Sequence, residues 1–483
     1  MIGRKGVAVV GVLVVIAVAA FGAYQTFMEP GGCTLHTLST PSRYQAQKIT
    51  FGGIAEYCLA GPSRWANAVA VAQDGSVWFG ESSVPGVAHL FGNGTVVEFP
   101  WPQGAGRVLN GSYKTGIWGV AIWQGWVWGT DFDGSSIIGV DPATGATRAL
   151  DLPPSSFPYG LTVGPDDGLW FTTFSKVPYI GRVAPNFSVS LHTLTSPPKQ
   201  YAFEVQFSPS GLGYYVGLDP FNSTDTGLYS FDPGSPGRIN ATLLGAGTTL
   251  FQLDSLSVGE GTIWAAQHYT SNIAGYSVAE GGWTFWPTSR VNYSSVTLPY
   301  FVRAQGHTVW FNEHYANRVA RLDPAAGTLT ELSESNPPVA DVNDIQNDLT
   351  IATAEGGLWF TSATGNYLGF VDGSYSQGFG ILPVGGNHIT ISPGGSSSLD
   401  AVLSGSWPKG LHISVSDNEN KESTPVLVTI VPEKTGLSAG SGPRTLRFDF
   451  RAGSSASPGE YIAALTVSDG LVFQSAYVYI TVS

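Results

Sequence analysis

The sequence predicts an all-β chain: one N-terminal transmembrane helix, then a seven-bladed β-propeller, then a C-terminal β-sandwich. Three observations predict it. An apolar strand, an acidic or glycine turn and an aromatic-centred strand recur together down the middle of the chain, as a repeat architecture requires. Charged residues are only 12% of the sequence, whereas Gly (62 residues) and aromatics (12%) are abundant, a balance that favours short strands and tight turns over charged helices. The 483 residues also exceed one ordinary domain unless repetition absorbs the length.

Residues 7–28 carry no charge and are rich in Val, Ala, Ile and Leu, which matches the ~20 residues that cross a hydrocarbon core as a helix. Arg4 and Lys5 precede this stretch and Glu29 follows it, so the excess of positive charge leaves the N-terminus cytoplasmic and everything after residue 29 outside. The same stretch also reads as a cleaved secretory signal, with Ala17-Val18-Ala19 as the small-residue cleavage site, or as a leader cut after Gly6. Each reading exports the bulk of the chain, tethered to the cell membrane or secreted if the segment is cleaved. Cys33 and Cys58 are the two cysteines; in an exported chain such a pair is a disulfide more often than a metal site, with two unpaired thiols as the alternative. Sequons at Asn93, Asn110, Asn186, Asn222, Asn240 and Asn292 are candidate glycosylation sites and mark exposed loops in a glycosylating host. A net charge of −13, with no basic cluster beyond Arg4-Lys5, argues against nucleic acid as a partner, because phosphates need clustered cations.

The repeat occupies residues 62–384. Its copies centre on Trp78, Trp128, Trp170, Tyr214, Trp264, Trp310 and Trp359, spaced 42 to 50 residues apart, the length of a four-stranded blade. In the sixth copy, residues 317–322 read as a third strand, Asp323-Pro324-Ala325-Ala326-Gly327 as a turn and residues 328–332 as a fourth strand. A sheet of this size cannot bury both faces alone, so the anchor aromatics are expected to fill the space between stacked blades. Residues 29–61 form an exported linker. Within it, residues 49–59 read as a pair of outer strands that closes the ring, with a Cys33–Cys58 bond at the seam.

Beyond residue 385 the Trp-centred motif stops at a Pro/Gly/Ser-rich stretch. Alternating strands at residues 446–450, 461–467 and 477–482, with Asp469-Gly470 as a hairpin signal, suit a two-sheet sandwich over residues 385–483. The run Ser457-Pro458-Gly459-Glu460-Tyr461 followed by Ser468-Asp469-Gly470 resembles immunoglobulin-like domains of bacterial and archaeal surface proteins, which act as spacers or adhesion units.

Pro158-Tyr159-Gly160-Leu161 with Asp167-Gly168-Leu169-Trp170-Phe171, and Trp310-Phe311-Asn312-Glu313 with residues 317–324, resemble the blade signature of the virginiamycin B lyase (streptogramin lyase) family over most of residues 62–383. The resemblance implies a seven-bladed propeller. It also implies elimination chemistry on a cyclic ester, with a histidine base and Mg²⁺ near the central opening. The positions matching the lyase histidines are Asn67, Trp118, Tyr159, Phe203, Asp254, Tyr300 and Asn347. None is histidine, and a proton-abstracting base needs a pKa near the working pH that Tyr or Asn does not offer unaided.

What remains at that end of the blades is a candidate binding rim of Asn67, Glu81, Trp118, Asp131, Tyr159, Asp254, Gln267, Tyr300 and Asn347. Glu81, Asp131, Asp254 and Glu313 are candidate ligands for a hard cation, Ca²⁺ or Mg²⁺; as strand ends of an acidic protein they read equally as solvated residues. His268 and His314, in the adjacent runs Gln267-His268-Tyr269 and Glu313-His314-Tyr315, are with Glu313 the candidate catalytic groups, or the descendants of one ancestral blade. Trp118, Tyr159, Phe203 and Tyr300 give the rim rings suited to a sugar or a peptide, or simply pack beneath the loops. Two functions are compatible with this rim: a surface module that binds a ligand, glycan or protein, and a divalent-metal-dependent lyase or hydrolase with a rebuilt site.

Overall fold

The computed structural model describes residues 43–61, 64–102, 105, 107–109, 112–175, 177–194, 201–218, 227–242, 253–268, 270–290, 296–335, 348–363, 365–418 and 428–483. Residues 7–28, Cys33, Asn110, Asn222, Asn292 and Asn347 lie outside them. Every regular element among the described residues is a strand, and no helix there is long and apolar enough to cross a membrane.

The repeats fold as small antiparallel sheets, each named here by its anchor aromatic. The Trp78 sheet runs Ala66–Val71, Val77–Glu81, Gly86–Leu90, Thr95–Pro100 in spatial order. Sequential neighbours pair in the same way in the Trp128 sheet (Val120–Trp123 to Thr147–Asp151), the Trp170 sheet (Pro158–Val163 to Val189–Thr193), the Tyr214 sheet (Tyr201–Phe207 to Ile239–Thr242) and the Trp310 sheet (Pro299–Gln305 to Thr328–Ser333). Asp and Gly make the tight turns: Asp74 Oδ1 accepts the Ser76 N–H at 2.9 Å, and Gly75 takes φ +81°, where a Cβ is unfavourable. Second strands such as Val77–Glu81 and Leu169–Thr173 are buried along their whole length, because both of their faces pack. Trp78, Trp128, Trp170, Tyr214, Trp264 and Trp310 are buried. Each such ring contributes on the order of 1.5–3 kcal/mol of burial.

The chain divides into two compact units: residues 1–258 with 335–373, and residues 259–334 with 374–483. In the first unit the Trp359 sheet (Asp348–Ala354, Gly357–Ser362, Tyr367–Asp372) takes its outer strand from the other end of the chain, where Ile54–Cys58 pairs with Tyr367–Asp372 and Gln47–Phe51 pairs outside it. The predicted outer-strand pair is therefore formed. Trp359, Ala352 and Leu368 share a core with Val69, Phe79 and Ala88 of the Trp78 sheet, so the last repeat abuts the first. Cys58 is buried and disulfide-bonded. An additional strand, Arg43–Gln45, edges the Trp78 sheet; three residues without alternation gave it no signal.

In the second unit, Thr328–Ser333 of the Trp310 sheet pairs with Val472–Val482, and the sheet continues through Gly459–Ser468 and Leu411–Asp417. A second sheet, Phe379–Pro383, Ser396–Trp407, Arg444–Ala452, Val428–Pro432, packs on it around Leu403, Phe448, Phe450, Leu465 and Val478. Two observations correct the sequence-based boundary near 385. Phe379–Pro383 belongs to the C-terminal sheet, and the C-terminal segment of the unit starts at Ser374. Leu382-Pro383-Val384 looked like a linker because Leu382 and Val384 face solvent while the strand's inner residues, Phe379 and Ile381, fill the core.

In five of the sheets the register slips where the first strand enters: between Ala66 and Ala68, Pro158 and Leu161, Ala202 and Val205, Pro299 and Val302, Asp348 and Ile351. These are β-bulges, which re-aim side chains and free backbone groups from the ladder. The freed groups are taken up by the penultimate residue of the second strand. Thr130 Oγ1 accepts Gly119 N–H (3.0 Å), Thr172 Oγ1 accepts Gly160 N–H (2.9 Å), Thr361 Oγ1 accepts Thr350 N–H (3.0 Å), and Asn312 Oδ1 accepts Phe301 N–H (2.7 Å). The same hydroxyls reach the next repeat, Thr172 donating to Phe203 O and Thr361 to Asn67 O. Glu204 does this work for its neighbour, accepting from Ser255 Oγ (2.5 Å) and Leu256 N–H (3.4 Å). The strands approach so closely that a Cβ on Gly160 would lie 2.7 Å from Phe203 O and 2.8 Å from Glu204 Cα.

Gly160→Ala should accordingly lower stability by about 1–3 kcal/mol in urea titration, while Gly380→Ala, whose Cβ meets nothing within 4 Å, should shift the midpoint little. Removing the residues before 62 should lower the melting temperature clearly, because the Trp359 sheet loses its outer strand; an unchanged value would contradict that closure.

Candidate functional site

Most of the residues singled out from the sequence lie in their own sheets near where the first strand enters, and most of them are buried. Asn67, Glu81, Asp131, Asp254, Gln267, His268, Glu313 and His314 are all at most 3% exposed; Tyr159 and Phe203 are buried and Trp118 and Tyr300 half-buried. The reading of the carboxylates as solvated strand ends is thereby corrected. Glu81 and Glu313 lie where the second strand closes on the first, opposite Ala66 and Pro299, and the bulge there folds the chain over them.

Among the described residues no three of His, Cys, Asp and Glu group closely enough to hold a metal ion. Asp131, Glu81 and Glu313 each serve their own repeat. Asp131 accepts Thr115 Oγ1 (2.7 Å), Gly134 N–H (2.9 Å) and Ser136 Oγ (3.1 Å), an arrangement that shapes the adjoining turn. Glu81 shares Arg64 with Glu98, at 4.0 and 2.9 Å, and Glu313 shares Arg318 with Glu331, at 3.9 and 4.0 Å. Glu98 and Glu331 hold the same register position, opposite Ala88 and Ala320. Burial pushes all four of these carboxyls above the usual carboxylate range, and Arg64 or Arg318 pulls each back. This carboxylate–guanidinium–carboxylate pattern was missed because its parts are 5 to 34 residues apart along the chain and show only once the sheets are aligned.

His268, Tyr300 and His314 do come together. The imidazole centroids are 5.7 Å apart and perpendicular, and Tyr300 lies 4.0 Å from His314 and 5.7 Å from His268. His268 Nδ1 bonds Pro299 O at 2.9 Å, and burial lowers its pKa to about 4, so the ring is neutral at neutral pH and Nδ1 is the donor to the carbonyl. The cluster is a packed aromatic junction between successive repeats.

In the first unit a larger aromatic group spans three repeats. Trp118 stacks on Tyr159 (5.1 Å, 17°), Tyr159 meets Phe203 edge-on (5.4 Å), and Phe132, Phe157, Phe174 and Tyr201 complete it. Trp118, Phe157, Phe174 and Tyr201 are half-buried, so one side of the group reaches solvent. The sequence flagged Trp118, Tyr159 and Phe203; of the others, Phe132 and Phe174 follow the second strands, Phe157 precedes an entry strand and Tyr201 begins one. Phe157, Trp65 and Leu298 share an αL conformation (φ +48°, +54° and +54°), uncommon for bulky residues. Their carbonyls accept Phe174, Ser82 and His314 N–H, respectively.

No family model matches the chain, and no curated protein does. Solved structures do. A catalytically inactive virginiamycin B lyase from Staphylococcus aureus with quinupristin is 17% identical, covering 66% of this chain and 98% of that chain, at TM-score 0.52. The selenomethionine-substituted lyase of the same organism is 18% identical over 66% and 98%, at 0.52, and a streptogramin B lyase is 18% identical over 66% and 96%, at 0.53. At such identities the likeness is one of fold. The chain is a β-propeller protein.

The neutral buried imidazole sets an acid limit. A pKa depressed on folding means the unfolded chain binds the extra proton first, so the stability that depends on neutral His268 is present above about 6.5 and is lost as pH falls toward 4. In thermal melts from pH 7 to 4, His268→Gln should flatten that part of the decline; an identical slope would contradict the assignment.

Proposed function

We propose that this protein is a membrane-anchored, extracytoplasmic binding module: a seven-bladed propeller followed by an immunoglobulin-like sandwich, which takes a ligand on the aromatic entry end of its second to fourth repeats. One observation carries the reading. Trp118, Phe157, Phe174 and Tyr201 present ring surface to solvent over a floor of Phe132, Tyr159 and Phe203, and rigid rings held this way offer large contact area at little conformational cost. The apolar run at residues 7–28 and a disulfide at Cys58 support the exported setting. The exposed sequon residues Asn93, Asn186 and Asn240 are compatible with glycosylation. The ligand is a glycan or a protein segment.

The lyase or hydrolase reading draws on the fold likeness. Against it, the position-matched residues Asn67, Trp118, Tyr159, Phe203, Asp254 and Tyr300 supply no imidazole, and Glu81 and Glu313 are each held in a buried carboxylate–guanidinium cluster of their own. The test is direct. The full chain should bind a member of a glycan or peptide array, and Trp118→Ala should weaken that binding at least tenfold with the melting temperature unchanged. Accelerated opening of quinupristin that is lost in Glu313→Gln would instead establish the enzyme reading.

A further inference from the structure

We propose that Glu313, Arg318 and Glu331 form a proton-operated clasp that fastens the C-terminal strand Val472–Val482 to the Trp310 sheet. Glu313 and Glu331 are 0% exposed, and Arg318, between them at 3.9 and 4.0 Å, is 6% exposed. One guanidinium neutralises one carboxylate, so ionising both leaves a net negative charge in the interior, which is costly. The closed arrangement therefore holds one proton, and Glu313 is its seat. Glu313 has only the hydroxyls of Thr288 and Thr297 beside it, and these bond each other, whereas Glu331 accepts Ser289 N–H (2.9 Å) and Ser289 Oγ–H, bonds that favour the ionised form.

The same cluster touches the C-terminal strand. Phe473 pairs with Glu331 across the ladder, and the Arg318 guanidinium lies 3.5 Å from the centre of its ring. Tyr477 donates to Pro287 O at 2.9 Å and is close enough to Glu331 and Glu313 to be pushed further from ionisation by them. Arg318 also donates to Ser289 O (3.2 Å) and Oγ (3.1 Å). The other groups packed around the pair are accounted for: Thr288 and Thr297 bond each other at 2.6 Å beside Glu313, Arg290 donates to Thr270 O, and His314 sits against Tyr300.

Loss of the Glu313 proton to solvent leaves two carboxylates competing for Arg318, weakening its hold on Ser289 and Phe473 together. The sign is that of a carboxyl raised on folding: stability is complete below about 4.5 and declines as pH rises toward about 8. The clasp thus ties the entry end, where Glu313 lies, to the attachment of the sandwich.

Hydrogen exchange on the full chain at pH 6 and pH 9.5, corrected for intrinsic rates, tests it. Protection of the ladder between Thr328–Ser333 and Val472–Val482 should fall at least about tenfold at the higher pH, while the ladder between Ser396–Trp407 and Arg444–Ala452 stays unchanged. Glu313→Gln and, independently, Glu331→Gln should each abolish the loss, since either leaves a single carboxylate for Arg318. Protection independent of pH in the unmodified chain, or the same loss in both folded variants, would overturn the proposal.

Discussion

The structure depends on how the innermost strands come together where they enter. There five of the strands bulge, and a bulged backbone buried between neighbouring sheets would leave N–H and C=O groups without partners, each costing about 1–3 kcal/mol. Thr130, Thr172, Thr361 and Asn312 meet that demand from the penultimate position of the adjoining strand, and two of them extend the bond into the next repeat. This lacing needs a small hydroxyl or amide and a glycine-sized gap, and both Gly119 and Gly160 supply the gap. It also explains why the entry end is polar yet closed. The acidic strand ends sit directly behind the bulges and are sealed by them.

A second consequence concerns the C-terminal domain. Read from the sequence, it is a spacer strung after the repeats. In the structure it shares a continuous sheet with the Trp310 repeat, and Ile462, Ala464 and Tyr477 enter the core that holds Trp264, Trp286 and Phe311. Covering the outer edge of the Trp310 sheet also removes an unpaired strand that would otherwise be open to association.

Features set by local pattern were legible in the sequence. The seven aromatic anchors, the four-strand rhythm of the sixth repeat and the outer-strand pair at residues 49–59 rest on alternation and on Asp, Pro and Gly turns, and these survive in the structure. Pairings across long separations stayed hidden. Thr328–Ser333 meeting residues 472–476 has no local signature, and neither does Glu331 reaching Arg318 and Ser289. The candidate site was legible in its positions but not in its exposure: Glu81 and Glu313 were placed correctly at the strand ends, yet nothing in the chain shows that a bulge seals over them.

Glu81 and Glu313 each belong to a carboxylate–guanidinium cluster of their own and Asp131 is held by hydrogen bonds, which leaves the aromatic group as the proposed recognition surface. Calorimetric titration of the purified protein with Ca²⁺ and Mg²⁺ tests this most directly. The account predicts no stoichiometric binding attributable to Glu81, Asp131, Asp254 or Glu313. Tight binding to one site, abolished by Glu313→Gln in a folded protein, would contradict it.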